Sequence, residues 1–274
     1  MIHLSYRLLA LFCVSAVLSA CTADVVARVT QVGERTVEFE LQGQGSPSVV
    51  FESGLGDDWS PWNDVASSIA KRTTCLSYSR AGYGQSATSK SPRRDQLTVA
   101  AELDELLESL KVPPPYILVG HSLGGVYVQA YAAAYPEKVA GLVLVDPTHP
   151  DQLARARTDA PRDARMVGIM SRFFSDAMGA EFQAQKETTV FPQPVYTGPV
   201  IILAAERKQT LSSDAFQKLR GILLHEIAAH YPQSELRPVD ASHYIQREKP
   251  QAVVDAINTI LDRAGAPPAA AAVR

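Results

Sequence analysis

Gly120-His121-Ser122-Leu123-Gly124 joins two structural signals to one reactive side chain. The apolar run Tyr116–Val119 precedes it, and the helical pattern Leu123–Tyr135, closed by Pro136, follows it. A G-x-S-x-G between a strand and a helix folds as a sharp turn that lifts the serine hydroxyl above the sheet. A side chain at 120 or 124 would obstruct that turn. The following helix N-terminus favours negative charge developing beside the hydroxyl. Ser122 is therefore a candidate nucleophile, and a serine hydroxyl needs a neighbouring base to act as one.

The histidines are the first place to look for that base. His225-Glu226-Ile227-Ala228-Ala229-His230 superficially matches a zinc motif, but that motif needs its histidines four apart on one helix face. Five apart, they diverge by roughly 140° around a helix, so no metal and no cofactor are implied. His121 reads as a structural residue of the turn, His149 as a loop residue, and His3 lies in the leader. His243 remains, in Asp240-Ala241-Ser242-His243-Tyr244, before Pro250 and a closing helical pattern.

The elements that must position these residues alternate. Strand patterns are expected at Val26–Val32, Thr36–Leu41, Val49–Phe51, Thr73–Tyr78, Tyr116–Val119, Ala140–Val145, Pro199–Ala204 and Leu236–Val239. Helices are expected at Trp62–Lys71, Gln96–Leu110, Leu123–Tyr135, Ser213–His230 and Pro250–Arg263. In the second of these, Leu97, Ala100, Ala101, Leu103, Leu107 and Leu110 form the expected buried stripe. Ala140–Val145 has no polar alternation, as befits a strand covered on both faces. The pattern predicts an α/β fold with a mostly parallel sheet and helices on both faces. Residues Pro147–Tyr196 break the rhythm and read as an excursion over the sheet.

With the elbow, the alternation and the late histidine, the chain resembles the α/β-hydrolase superfamily from about residue 35 to 263. The resemblance implies a serine hydrolase with the order serine, acid, histidine, and His243 as general base. It implies oxyanion donors from the backbone N–H of Leu123 and Leu55. Relatives often carry His-Gly-x at the second loop, where this chain has Ser53-Gly54-Leu55. The acid stays open. Lys208 stands where many relatives have aspartate, and a cation there would repel an imidazolium. Asp146, at the end of Leu142–Val145, and Glu206 are the two candidates. The Arg80-Ala81-Gly82-Tyr83-Gly84-Gln85-Ser86 loop reads as structural, and 147–196 as a cap inserted in a core of 21–146 and 197–263. Met166, Met170, Phe173 and Phe174 suit either an apolar substrate or packing of a cap helix on the core.

Carboxylic-ester hydrolysis through an acyl-enzyme on Ser122 is the expected activity. A proline-iminopeptidase-like aminopeptidase is the alternative, and would use acidic cap residues such as Glu181 or Glu187 to hold a substrate amine. A non-catalytic envelope lipoprotein is a third reading, kept open by Lys208. Dehalogenase and epoxide-hydrolase relatives place Asp where Ser122 stands.

The 274 residues carry a net charge of −3, with 46% hydrophobic residues and 20% charged. That excludes a collagen-like, polyelectrolyte or multi-span membrane chain, and gives no general drive toward nucleic acid. Residues 1–20 combine Arg7 with an uncharged run from Leu8, too short to span a bilayer. Leu18-Ser19-Ala20-Cys21 resembles a bacterial lipobox, which implies cleavage before Cys21, a lipid on its sulfur, and a membrane-tethered envelope location. Thr22 in place of aspartate favours the outer membrane in a Gram-negative host. Cys13 would be lost with the leader, and Cys75 reads as a buried small hydrophobe. Residues 264–274, rich in Ala and Pro, are expected to fray.

Overall fold

The computed structural model describes residues 27–265 apart from Pro92, Thr189 and Thr210, with no side chains for 187 and 188. The expected leader with Cys13, the lipobox residue Cys21, and the segment from 266 onward lie outside the described residues.

Among the described residues, eight strands form one sheet: β1 (Arg28–Val32), β2 (Arg35–Gln42), β3 (Ser48–Glu52), β4 (Cys75–Tyr78), β5 (Tyr116–His121), β6 (Val139–Val145), β7 (Val200–Ala205) and β8 (Ser234–Val239). Their order across the sheet is β1-β2-β4-β3-β5-β6-β7-β8. β1 and β2 pair antiparallel, as do β2 and β4, and every later pair is parallel. The parallel strands are apolar on both faces because both faces are covered. Along β6, Leu142 and Leu144 enter one core while Val143 and Val145 enter the other. The same alternation separates Val50 from Val49 and Phe51 on β3, and Leu118 from Ile117 and Val119 on β5.

Helices α2 (Gln96–Ser109), α3 (Leu123–Ala134) and α7 (Asp214–His230) cover the first face, and α1 (Asn63–Ile69), α8 (Ile245–Glu248) and α9 (Pro250–Arg263) the second. Local chemistry sets their ends. The Asp95 side chain caps α2 by accepting the Thr98 N–H at 2.9 Å, and Ser213 caps α7 by accepting that of Phe216 at 3.1 Å. Proline at the start of α9 occupies a position that needs no N–H donor. Cys75 is buried on β4, and burial raises its thiol pKa, which leaves it protonated and unreactive.

Two expectations need correction. On α2, Leu97 and Ala101 face solvent, and Gln96 and Leu106 are buried instead. Gln96 is drawn inward because its amide bonds both backbone groups of Val190, on the chain returning from the insertion. The short helix α8, directly after His243, was not expected from the pattern.

Between β6 and β7 lie α4 (Gln152–Asp159), α5 (Pro161–Met170) and α6 (Asp176–Thr188). α4 packs against α5 and α7. Buried Asp163 on α5 accepts bonds from the backbone N–H and hydroxyl of Ser213. Met166 lines a cavity, and Phe174 packs edge-on against Phe182 at 5.4 Å. Met170 and Phe173 serve neither expected role: Phe173 is 85% exposed.

Candidate active site

Parallel strands bring their C-terminal ends to one edge of the sheet, where such folds hold their ligands. Ser122 follows β5, Asp146 follows β6, His243 lies between β8 and α8, and Leu55 follows β3. The four loops meet above one edge.

Ser122 has φ +52° and ψ −119°, a conformation a residue with a side chain rarely adopts. Strain of this kind costs about 1–3 kcal/mol and persists only where neighbours enforce it. Here the Ser122 N–H donates to Val145 O at 3.1 Å, and its C=O accepts from the N–H groups of Gly125 and Thr148, both at 3.0 Å. The flanking glycines are obligatory. A Cβ on Gly120 would lie 2.6 Å from Gly124 O, and one on Gly124 would lie 2.4 Å from Glu52 O. Absence of a side chain at 124 lets α3 start directly against the end of β3, beside Leu55.

Asp146 also has positive φ, +44°, and is 2% exposed. Its Oδ2 lies 2.6 Å from His243 Nδ1. Its Oδ1 accepts from Arg220 Nη2 and from the Ala205 N–H at 3.2 Å. Burial alone would raise this carboxyl, but the His243 hydrogen bond and the Arg220 charge outweigh it and hold the group below its usual range. Arg220 went unrecognised in the sequence, although a signal exists. It sits within the α7 stripe Phe216, Leu219, Leu223, Leu224 and Ile227, where an arginine has no apolar reason to be.

The structure brings Ser122, Asp146 and His243 together and leaves Glu206 outside. Glu206 is exposed after β7, and no bond joins it to His243 among the described residues. Lys208 turns away as well, with Nζ 2.6 Å from Asp214 Oδ1. Glu181, on α6, is 1% exposed and bonded to Arg80 and Tyr83. Glu187 lies outside the described side chains.

Among the described residues no hydrogen bond takes up the N–H of Leu55 or Leu123. The Leu55 side chain packs against the cluster of Val99, Leu123, Val126 and Tyr127, which keeps the two loops adjacent. Where relatives often carry histidine, Ser53 staples its own loop, with Oγ donating to Asp58 O at 2.7 Å and accepting from Trp62 Nε1 at 3.0 Å. A cavity of about 240 Å³ opens onto Ser122 and His243. Met166, Val167, Leu211 and Phe216 give it apolar walls, with Gln152 and Gln209 as polar points.

His121 is buried beneath the His243 loop, its ring 4.6 Å from that of His243 and 4.9 Å from Tyr244. Its Nε2 lies 2.9 Å from His243 O, and a carbonyl can only accept, so Nε2 carries the proton. The ring is a strut for the loop, and burial favours its neutral form. Burial and the neighbouring His243 lower its pKa to about 3.

Comparison with known proteins agrees with this architecture. Residues 47–178 match a family model described as alpha/beta hydrolase fold. The enol-lactonase from Burkholderia xenovorans LB400 superposes with TM-score 0.65 at 18% identity, over 86% of this chain and 100% of that one. The molecule has the α/β-hydrolase fold. In sequence, the chain is 34% identical to the YqjL protein of Bacillus subtilis (strain 168) over 106 residues, 39% of this chain and 42% of that protein. It is 30% identical to the mouse (lyso)-N-acylphosphatidylethanolamine lipase over 115 residues, 41% of this chain and 33% of that protein. The chain thus spans less than half the length of these curated relatives.

The neutral His121 links stability to pH. An unfolded chain protonates this ring below about pH 6.5, whereas the folded chain does so only near pH 3. Its contribution is complete above pH 6.5 and falls as pH drops toward 3, by about 1.4 kcal/mol per pH unit for one proton. Urea unfolding of His121→Asn between pH 4 and 6.5 should show a slope shallower by one proton; equal slopes in both proteins would contradict a buried neutral ring.

Proposed function

We propose that this chain is a serine hydrolase that cleaves carboxylic esters of small molecules through an acyl-enzyme on Ser122. The observation that carries the reading is the 2.6 Å contact of His243 Nδ1 with buried Asp146, at a cavity shared with a strained, glycine-flanked serine. Asp146 fixes the tautomer that leaves Nε2 free as a base and stabilises the imidazolium, staying ionised throughout. His243 Nε2 takes the Ser122 proton as Oγ attacks the ester carbon. The N–H groups of Leu55 and Leu123 receive the oxyanion. The tetrahedral species collapses, His243 returns the proton to the departing alcohol, and Ser122 is left acylated. Water then attacks with His243 as base, the acid leaves, and Ser122 recovers its proton. Ser122 Oγ rests 3.4 Å from Thr148 Oγ1, and the mechanism has it turn to His243 Nε2 as substrate seats, since catalytic hydrogen bonds commonly tighten only with substrate bound.

Two features count against the other readings. An aminopeptidase needs a cap carboxylate free to hold a substrate amine, and Glu181 is already spent on Arg80 and Tyr83. Lys208 argued for a degenerate site, but its charge is paired with Asp214 and Asp146 occupies the partner position of His243. The lipase among the relatives supports ester chemistry without naming the ester cleaved here. The lipobox-like Leu18–Cys21 segment supports, as part of the same proposal, a lipid anchor on Cys21 in a bacterial envelope.

Two experiments test this reading. On p-nitrophenyl butyrate, Asp146→Asn should lose about 10²–10⁴-fold in kcat, with Glu206→Gln at the wild-type rate. Comparable small losses in both would remove Asp146 from the mechanism. Cys21→Ala, expressed in a bacterium, should move the full-length chain out of the detergent-soluble membrane fraction, and persistence there would refute the lipid anchor.

A further inference from the structure

An oxyanion donor is only as well aimed as the peptide that carries it, and the Leu55 peptide is gripped from behind. Arg80 Nη1 donates to Ser53 O at 2.6 Å, and Nη2 donates to Gly54 O at 2.8 Å. Gly54 C=O and Leu55 N–H belong to the same peptide unit. That unit is planar and trans, so its two polar groups point in opposite directions. Holding the carbonyl on Arg80 turns the Leu55 N–H away from Arg80, while the Leu55 side chain packs on the cluster that contains Leu123.

Arg80 is itself fully committed. Nε donates to Glu181 Oε1 at 2.9 Å, Nη2 also donates to Glu181 Oε2 at 3.0 Å, and Nη1 also donates to Glu52 Oε1 at 2.7 Å. A guanidinium has five N–H donors, and these contacts use all of them. The side chain is buried, 5.0 Å from the ring centre of Tyr83 and 5.1 Å from that of Tyr127. Glu52 ends β3 and belongs to the core. Glu181 belongs to α6 of the cap and takes a third bond from the Tyr83 hydroxyl at 2.9 Å. One planar cation therefore ties a cap helix to the peptide behind the oxyanion donor.

The geometry points to Arg80 as the positioning residue of the oxyanion hole, with Glu181 making its grip depend on a seated cap. This inference rests on the serine-hydrolase reading of Ser122. Lysine is a single point charge and cannot bond two successive carbonyls and two carboxylates at once. A merely structural arginine would change how much protein folds, and not how well each folded site stabilises an oxyanion.

The test uses the full-length chain on p-nitrophenyl butyrate, with active sites counted by fluorophosphonate titration to completion. Loss of one oxyanion donor costs about 10²–10³-fold, so a misaimed one in Arg80→Lys should cost about 10–100-fold in kcat per titrated site. KM should move less than about threefold, since the carbonyl is gripped in the transition state and not in the ground state. A trifluoromethyl ketone, which adds Ser122 as a tetrahedral oxyanion, should lose affinity by a similar factor. Glu181→Gln should shift both quantities in the same direction, by about 3–10-fold, because one of the arginine's partners loses its charge. Wild-type kcat per site and wild-type ketone affinity in Arg80→Lys, with only a lowered Tm, would overturn the inference while leaving the hydrolase reading intact. If Arg80→Lys is not recovered folded, the same pair of values in Glu181→Gln decides. A wild-type chain that neither titrates nor turns over would instead fail the reading of Ser122.

Discussion

Asp146 is ionised and almost completely removed from water, a costly state unless its lone pairs are answered. His243 Nδ1, Arg220 Nη2 and the Ala205 N–H answer them from three separate elements: the β8–α8 loop, α7 and the end of β7. The backbone of Asp146 is tied too, through its N–H to Leu203 O at 2.8 Å. Each partner thereby fixes the place of its own element relative to β6. The carboxylate orients the His243 ring through Nδ1, and the His243 hydrogen bond and the Arg220 charge together favour the carboxylate's ionised form.

A second buried charge organises the other side of the same edge. Arg80 joins β3, the Leu55 loop and helix α6, while Asp163 joins α5 to Ser213 at the start of α7. The 147–196 insertion is thus held to the core by several polar contacts, Arg155 to Glu226 and Val190 to Gln96 among them, in addition to its apolar packing. Breaking one partner of a buried ion pair typically costs about 3–5 kcal/mol, so the Arg80–Glu181 pair holds α6 firmly against the core. The exposed Phe173 shows that the cap's outer surface is not part of that attachment.

Features enforced over short stretches of chain were legible in the sequence. The turn at Ser122 is written in five residues because its two glycines are required by backbone contacts within the turn and with the end of β3. The doubly buried strands were legible because burial on both faces leaves no polar alternation. What depends on distant partners was not. Asp146 and Glu206 each end a strand with an acid, and only the packing of α7 and of the His243 loop separates them. Leu97 fitted the helical period yet lies outside, because a cap residue claims Gln96. Arg80 was read as structural, and nothing in its loop motif shows that its partners include Glu181, a hundred residues onward. Lys208 misled for the complementary reason: its position resembles an acid's, but its own loop carries it to Asp214.

The central claim is a covalent one, that Ser122 carries the acyl group between two half-reactions. Acid quenching during steady-state turnover of p-nitrophenyl butyrate, followed by intact and peptide mass spectrometry, reads it directly. One butyryl adduct per chain is expected, located on Ser122 and absent from Ser122→Ala, which should also lose turnover. Turnover that persists in Ser122→Ala, or an adduct on another residue, would contradict it.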